Sequence, residues 1–464
     1  MSGFFLSNKP KRKKKNVDSK IFSKKKVSDS RTLRNGSQFD INTDSESESD
    51  KEDINSNINS SDEETAQEKR LRLAKEYLVQ LENEERENRQ DISDGEDAVG
   101  ERLQKDVLEK QGNFQRKIAE KCICPDEDAI KIFSGHKLSL TCLCISPDDK
   151  MIFSGSKDCS IIKWDIQTGT KEGKIPSGHS QAESSDNHGH VGHIFAIAIS
   201  SDGQYLASGG QDKLIRIWNP CNLKHIHTFK GHRDAVTGLA FRQGYNQLFS
   251  ASKDRTIKIW SLDEMAFVDT LFGHEDGITA IDSMKYEQAV SSGGRDTSVR
   301  LWKVVTESQL VFNGSCGSID CLRMINEKSF VSGSDDGSLS LWAITKKKPL
   351  CTVSKAHQPT ADNIDAPRES WITSLATVRN TDLIASGSSD SAIRFWRCEN
   401  GIKSLSPLFT LPAVGFVNSL AFSSDGSFLV AGMGQEHRLG RWWRLKSAKN
   451  CIFVVPITRT MDKS

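Results

Sequence analysis

The sequence predicts an all-β fold, a seven-bladed β-propeller, preceded by a disordered, charged N-terminal tail with one or two short helices. The first observation behind this prediction is a phrase that occurs six times, an aspartate followed after five residues by a tryptophan. The pairs are Asp158/Trp164, Asp212/Trp218, Asp254/Trp260, Asp296/Trp302, Asp336/Trp342 and Asp390/Trp396. Successive tryptophans are 54, 42, 42, 40 and 54 residues apart. A repeat of about 40–45 residues is one supersecondary unit that cannot bury its faces alone, so we expect the units to stack in a ring.

The second observation is the alternation of apolar and polar residues inside each repeat. "SLTCLCIS", "IFAIAIS" and "AVTGLAF" alternate as half-buried inner strands do. A second strand with serine and glycine follows, for example "IFSGS" or "LFSAS", and then a tight turn holding the aspartate. The third strand ends at the tryptophan, and segments such as "KHIHTF" or "AFVDTL" supply the outer strand. Four strands of this kind make one blade.

Several repeats carry a Gly-His pair ahead of the inner strand: Gly135-His136, Gly189-His190, Gly231-His232 and Gly273-His274. In the third repeat, His232, Ser250, Asp254 and Trp260 can form one buried hydrogen-bond chain in which every polar group has a partner. A His/Ser/Asp set also occurs in hydrolase triads. Because the set recurs around the ring, we interpret these histidines as structural and expect no catalytic residues.

Two repeats depart from this plan. The fifth has "GSCGS" where Gly-His is expected, so its network should lack the imidazole. The seventh is degenerate, with Glu436/Trp442 for the Asp/Trp pair and Gly432 where the strand serine would fall. Residues 129–133 and residues 451–457 both qualify as the outer strand of the last blade, and the sequence does not choose between them.

Composition excludes several classes of protein. The chain of 464 residues has Lys+Arg 63 against Asp+Glu 62. Its cysteines show no zinc-like spacing, so we expect a reduced compartment and no metal or cofactor. No apolar run approaches the roughly 18–20 residues of a membrane span, and no signal-peptide core is present. We therefore expect a soluble protein that is not secreted and has no membrane or small-molecule partner.

The chain divides into four predicted parts. These are a disordered basic-then-acidic tail (1–60), a helical docking segment (61–123), the propeller (124–457) and a C-terminal tail (458–464). One basic cluster resembles a nuclear-import signal, and its members are Lys9, Lys11, Arg12, Lys13, Lys14 and Lys15. A merely solvated tail is the alternative. The acidic stretch that follows contains serines suited to acidophilic kinases, although a solubilising role explains its composition equally well.

Within the docking segment, an apolar stripe predicts an amphipathic helix that docks onto a partner or onto the propeller. Its members recur at spacings of three, four and three: Leu71, Ala74, Leu78 and Leu81. A second helical stretch is predicted over about 101–121. The alternative is that both are marginal, solvated helices.

Three phrases in order carry a more specific resemblance: "ETAQEKRLRLAKEYL", "SKDCSIIKWD" and "GQEHRLGRWWR". From about residue 62 to the C-terminus, the chain resembles the U3 small nucleolar RNA-associated WD-repeat proteins. The resemblance implies a subunit of the U3 small nucleolar ribonucleoprotein (snoRNP) located in the nucleus, within the nucleolus. It also implies recognition of the box B/C region of U3 snoRNA with a kink-turn-binding snoRNP protein. Other partners would be small-subunit processome proteins, and the process would be pre-rRNA processing for the small ribosomal subunit.

Two groups of residues are candidate RNA or partner contacts. The first lies in the turns around the repeat aspartates: Lys157, Lys213, Lys253, Arg255 and Arg295. The second lies in the seventh repeat, where cationic groups crowd an aromatic ring: His437, Arg438, Arg441, Trp443 and Arg444. Such groups can hold phosphates or stack on bases. The alternatives are ordinary surface charge and a Trp443 that packs under the segment 451–457.

The main rival function is a nuclear adaptor, such as a ubiquitin-ligase substrate receptor or a chromatin-associated scaffold. Adaptors that dock onto a cullin-linked propeller often show W-D-x-R after the repeat tryptophan. The six repeats here read "WDIQ", "WNPC", "WSLD", "WKVV", "WAIT" and "WRCE", so that feature is missing. An enzyme is disfavoured, since the sequence has no phosphate loop and no metal-ligand cluster.

Overall fold

The structure is a computed structural model. It describes residues 66–88, 100, 102–104, 107–108, 115–178, 188–314, 317–357, 371–441 and 443–460. Seven antiparallel four-stranded sheets form a β-propeller, as the repeats predict. First strands of consecutive blades contact each other around the ring, and the first strand of blade seven contacts that of blade one. The ring is therefore closed.

Each blade runs from the inner first strand to the outer fourth strand. Blade one comprises Leu140–Ile145, Met151–Ser156, Ile161–Asp165 and Lys171–Ile175. Blade two comprises Ile194–Ile199, Leu206–Gly210, Leu214–Trp218 and His225–Lys230. Blade three comprises Val236–Phe241, Gln247–Ser252, Thr256–Ser261 and Ala266–Phe272. Blade four comprises Ile278–Ser283, Gln288–Gly293, Ser298–Lys303 and Ser308–Asn313.

The remaining blades follow the same order, except that blade seven takes its outer strand from the start of the ring. Blade five comprises Ile319–Asn326, Ser329–Ser334, Leu339–Ala343 and Cys351–Val353. Blade six comprises Ile372–Thr377, Leu383–Ser388, Ala392–Glu399 and Ser404–Pro412. Blade seven comprises Phe416–Phe422, Phe428–Gly434, Cys451–Pro456 and Lys131–Ser134. Short 3-10 turns occupy Ala119–Lys121, Glu127–Ala129 and Gly294–Asp296.

The structure shows which of the two candidate segments is the outer strand of blade seven. Lys131–Ser134 is its outer strand, and it pairs antiparallel with Cys451–Pro456, which is the third strand. The expectation that Glu436/Trp442 is a seventh Asp/Trp pair was wrong, because residues 435–450 form an insertion ahead of that third strand. Val455 lies opposite Leu429, the position where a repeat tryptophan lies in the other blades. By the same register, Ala431 and not Gly432 takes the place of the strand serine.

The core lies between neighbouring sheets, and inner strands such as Val236–Phe241, expected from the alternation to be half-buried, are buried along their whole length. The repeat tryptophans are buried, for example Trp260 at 2% exposure and Trp342 at 0%. A bulge in the first strand lets a polar residue reach the next blade. Thr237 donates a hydrogen bond to the Ile278 carbonyl (2.6 Å), and Asn418 Nδ2 donates to the Leu140 carbonyl (2.8 Å). The second of these bonds joins the last blade to the first.

Residues 115–123 contain a 3-10 turn, Ala119–Lys121, and no α-helix, which corrects part of the predicted second helix. Residues 100, 102–104 and 107–108 are helical, whereas the amides of Ile118 and Ala119 donate to one oxygen of Asp382 in blade six. The Ile123 amide donates to the carbonyl of Thr458 near the C-terminus. This segment, assigned from sequence to docking, thus lies against the ring.

The first predicted helix is present as Ala66–Asn88. Its apolar side chains are exposed, including Leu71 (57%) and Leu78 (37%). Ala74 is exposed as well, and the side chain of Leu81 lies outside the described residues, as do the basic and acidic tails.

Candidate nucleic-acid interface

One face of the ring, called here the upper face, carries the loops that precede each first strand and the turns between second and third strands. Each such turn holds the repeat aspartate. In blades two and three, the residue after this aspartate adopts the left-handed conformation, with φ of 65° at Lys213 and 68° at Arg255. Because the turn is tight and its aspartate points inward, the neighbouring side chains are left on the surface.

The turn of blade three is fixed by a buried chain of hydrogen bonds. Trp260 Nε1 donates to Ser250 Oγ (2.9 Å), whose hydroxyl donates to His232 Nε2 (2.8 Å). His232 Nδ1 then donates to Asp254 (2.9 Å). Burial alone would raise the pKa of Asp254, but the hydrogen bonds from His232, Thr256 and the Arg233 amide outweigh it and lower that pKa. The carboxylate therefore stays ionised and holds the turn closed.

Blades five and six differ in this network. Among the described residues of blade five, Trp342 Nε1 donates to Ser332 Oγ (2.9 Å) but no imidazole completes the chain. Blade six has one that the sequence reasoning missed. His357 Nδ1 donates to Asp390 (2.9 Å) and its Nε2 accepts from Ser386 (2.7 Å). His357 does not follow a glycine, and 33 residues separate it from its aspartate instead of 22.

Four of the predicted cations lie exposed on the upper face: Lys213, Lys253, Arg255 and Arg295. They come from blades two, three and four, so exposed cations follow one another along one side of the ring. A rigid arc of cations is suited to a phosphate backbone.

Lys157 does not belong to this arc, contrary to the prediction. It is 3% exposed, and its Nζ contacts Glu436 Oε2 (3.2 Å) and the Gly440 carbonyl (2.8 Å). Burial lowers the pKa of Lys157, and the Glu436 carboxylate opposes that shift. Lys157 therefore anchors the insertion of blade seven to blade one. The sequence could not reveal this pairing, because the partners are 279 residues apart.

Two other predicted contacts also point inward. His437 is 4% exposed, with its ring 5.7 Å from that of Trp371. Burial, together with the charges of Arg438 and Lys157, lowers the pKa of His437 to about 3, so the imidazole is neutral. Arg438 enters the central channel, where its Nη2 donates to the carbonyls of Asp320 (2.8 Å) and Thr279 (3.3 Å). Neither side chain is placed to contact RNA on the surface.

The channel that receives Arg438 is lined by first strands of all seven blades. Asp320, whose carbonyl accepts from Arg438, directly precedes the channel-lining residues of blade five. Burial raises the pKa of Asp320 to about 6, although the Arg438 charge opposes that shift. Arg438 therefore holds the insertion of blade seven in place above the opening of the channel.

The remaining members of the second group lie at the surface of the insertion. Arg441 is 63% exposed and its Nε lies 3.5 Å from Glu436. Arg444 is exposed and donates to Gln435 Oε1 (2.8 Å), and Trp443 is half-buried with its ring 5.8 Å from that of Phe416. The structure thus brings together two arginines and one partly exposed indole, while Trp442 lies outside the described residues.

In the portion of the chain covered by the structure, no group of three or more His, Cys, Asp or Glu side chains could hold a metal ion. Among the described helices, none is long and apolar enough to cross a membrane.

The fold and the repeat network define a WD-repeat propeller. The family model described as WD domain, G-beta repeat matches residues 127–165, 184–219, 223–261, 265–303, 306–343, 362–397 and 405–439. The chain is 55% identical to U3 small nucleolar RNA-interacting protein 2 of Mus musculus, over 86% of this chain and 83% of the relative. It is 26% identical to ribosomal RNA-processing protein 9 of Saccharomyces cerevisiae, over 89% and 92%.

A solved structure titled "Structure of U3-55K" is 50% identical and superimposes with a TM-score of 0.68, covering 72% of this chain and 100% of that one. The chain belongs to the family of U3 snoRNP-associated WD-repeat proteins.

Proposed function

We propose that the protein is a non-catalytic subunit of the U3 snoRNP in the nucleolus. It binds the box B/C region of U3 snoRNA together with a kink-turn-binding snoRNP protein. In the small-subunit processome, it acts in pre-rRNA processing for the small ribosomal subunit. The names of the relatives, which refer to U3 small nucleolar RNA and to ribosomal RNA processing, support this role.

One observation carries the RNA-binding part of the proposal. Exposed cations from blades two, three and four and from the insertion of blade seven all lie on the upper face of one closed ring. The ring fixes their spacing before RNA arrives, so little conformational entropy is lost on binding. Folded RNA with splayed nucleotides offers both phosphates and base faces to such a surface.

The N-terminal segments would serve assembly and not RNA recognition. The exposed stripe of the helix Ala66–Asn88 is suited to docking on another processome protein. The basic cluster at residues 9–15 would supply nuclear import.

Binding of a U3 box B/C fragment across a salt series tests the proposal. Affinity should fall steeply with salt, because each neutralised phosphate releases counterions. The double variant Arg441→Gln/Arg444→Gln should weaken binding and reduce the salt slope by about two.

The matched control is Lys150→Gln/Lys285→Gln, which removes two exposed lysines from the opposite face. This control should bind as the wild type does, and thermal unfolding of both doubles should be unchanged. Equal weakening by both doubles, or indifference of the wild type to RNA at low salt, would contradict the proposal.

A further inference from the structure

A cleft at the upper rim of blade three combines cations with an exposed aromatic ring. Its volume is about 450 Å³. The turn of Asp254, the end of the outer strand and the loop that leads to His274 form its walls. Its cationic lining residues are Arg233, Arg255 and Lys258, and Phe272 is the aromatic one.

Phe272 is not explained by packing. The ring is 70% exposed, and the residue ends the outer strand opposite Thr256. At the same register position, blades two, four and six have Lys230, Asn313 and Pro412. A phenyl ring left in water forgoes the free energy that its burial would provide, so folding gives no reason for a phenylalanine here.

The cations are also particular to blade three. At the position of Arg233, the other Gly-His repeats have Lys137, Val191 and Glu275. At the position of Arg255, the other Asp/Trp repeats have Cys159, Lys213, Thr297, Gly337 and Ser391. No other repeat described here combines a cation at both places.

The positive charges of these side chains are not neutralised by ion pairs within the cleft. Arg216 and Arg394 occupy the position of Lys258 in blades two and six, and each pairs with the aspartate of its own turn. Lys258 instead donates to Thr270 Oγ1 (2.8 Å) and lies 4.7 Å from the Phe267 ring centroid. Asp254 is already bound by His232 and by Thr256. Among the described residues, no carboxylate forms an ion pair with the three cations of the cleft.

We propose that this cleft binds one unpaired nucleotide of RNA. The base stacks on Phe272, and the adjoining phosphate is held by Arg233 and Arg255. This inference rests on the proposed function and adds to it a defined subsite. Aromatic stacking accepts an unpaired base, and a guanidinium binds phosphate in a bidentate manner. A peptide that filled the cleft through apolar contacts would leave Arg233, Arg255 and Lys258 without an anion, so the cleft favours an anionic occupant.

Phe272→Ala tests the stacking contact with a U3 box B/C fragment as the probe. Stacking of one base is worth about 1–3 kcal/mol by alanine substitution, so binding should weaken about tenfold. Phe272→Leu should weaken it similarly because it lacks a π-face, while Phe272→Trp should retain or tighten it. Val305→Ala is the matched control, since Val305 is 76% exposed and lies away from the cleft. The same fragment with 4-thiouridine at its unpaired positions should photocrosslink to Phe272.

The phosphate contact has its own variant. Arg233→Gln/Arg255→Gln should weaken binding of the fragment. The salt slope should fall by about one, because the variant no longer neutralises one phosphate of the RNA. If Phe272→Ala bound the fragment as tightly as the wild type does, the subsite would be overturned and the proposed function would remain intact. Failure of the wild type to bind the fragment would overturn both. If Phe272→Ala abolished capture of a protein partner and spared RNA, the cleft would be a protein contact and the inference would fall.

Discussion

Ser250 is the residue on which the polar network of blade three depends. Its hydroxyl accepts from the Trp260 indole and donates to His232, so both buried groups rely on one oxygen. Blade five has a simpler arrangement, in which Ser332 receives the Trp342 indole without an imidazole beyond it. The two serines therefore offer a comparison within one molecule.

We predict that Ser250→Ala destabilises the ring more than Ser332→Ala does. The first leaves two buried polar groups without partners and the second leaves one, and each such group costs about 1–3 kcal/mol. The difference should appear in urea unfolding followed by tryptophan fluorescence. Equal loss of stability in both variants would show that the imidazole takes no part in the network.

His437 should make stability depend on pH. Burial lowers its pKa to about 3 in the folded protein, whereas the unfolded chain takes up a proton near pH 6.5. The stability that comes from the neutral ring is therefore present above pH 6.5 and is lost as the pH falls toward 3. Asp320 has the opposite effect on stability. Its pKa is raised to about 6 in the folded protein, so the folded state takes up a proton at a higher pH than the unfolded chain does.

The variant His437→Gln isolates the histidine contribution, since Asp320 is present in both proteins. Between pH 6.5 and pH 4, the free energy of unfolding should fall less steeply in the variant, by up to about 1.4 kcal/mol per pH unit. Denaturant unfolding at a series of pH values measures this slope. An unchanged slope in His437→Gln would refute the assignment.

At the scale of elements, strand alternation and turns predicted six blades correctly because both patterns lie within a single repeat. Blade seven was harder, since its third strand carries no tryptophan and its outer strand comes from 131–134. Pairing between distant segments leaves no local pattern. The tryptophans near residue 442 resembled a repeat, although they belong to an insertion.

The same limit applied to the candidate site. Exposure of Lys213 and Arg255 follows from the turn in which each lies, so a local pattern suffices. Lys157 and Arg438 occupy the interior because partners from other blades receive them, Glu436 for the lysine and Asp320 for the arginine. The position of a side chain whose partner lies in another blade can be predicted only when the folded ring is known.

The outer strand of blade seven should be needed for a stable, closed ring. Deleting residues 1–134 removes that strand and the contacts of residues 115–123, so the edge of Cys451–Pro456 would be unpaired. This truncation should lower the thermal midpoint strongly and promote association. Deleting residues 1–114 keeps the strand and should leave the midpoint nearly unchanged. Equal midpoints for the two truncations, measured by scanning calorimetry, would contradict the observed closure.

At the scale of the whole molecule, seven similar sheets provide a rigid frame for the side chains of the upper face. Hydrogen-bonded turns hold cations outward on the upper face, and Arg438 fixes the insertion of blade seven above the channel. Charge held in this way needs little reorganisation when a polyanion binds. The frame explains why local variation among blades, such as Phe272, can create specific contacts without disturbing the fold.

The most direct measurement is a crosslinking map between U3 RNA and the protein in the purified particle, resolved to single residues. If the upper face binds the RNA, crosslinks will be concentrated there, at the turns of blades two to four and at Arg441 and Arg444. Crosslinks confined to the opposite face, or to the N-terminal segments alone, would contradict it.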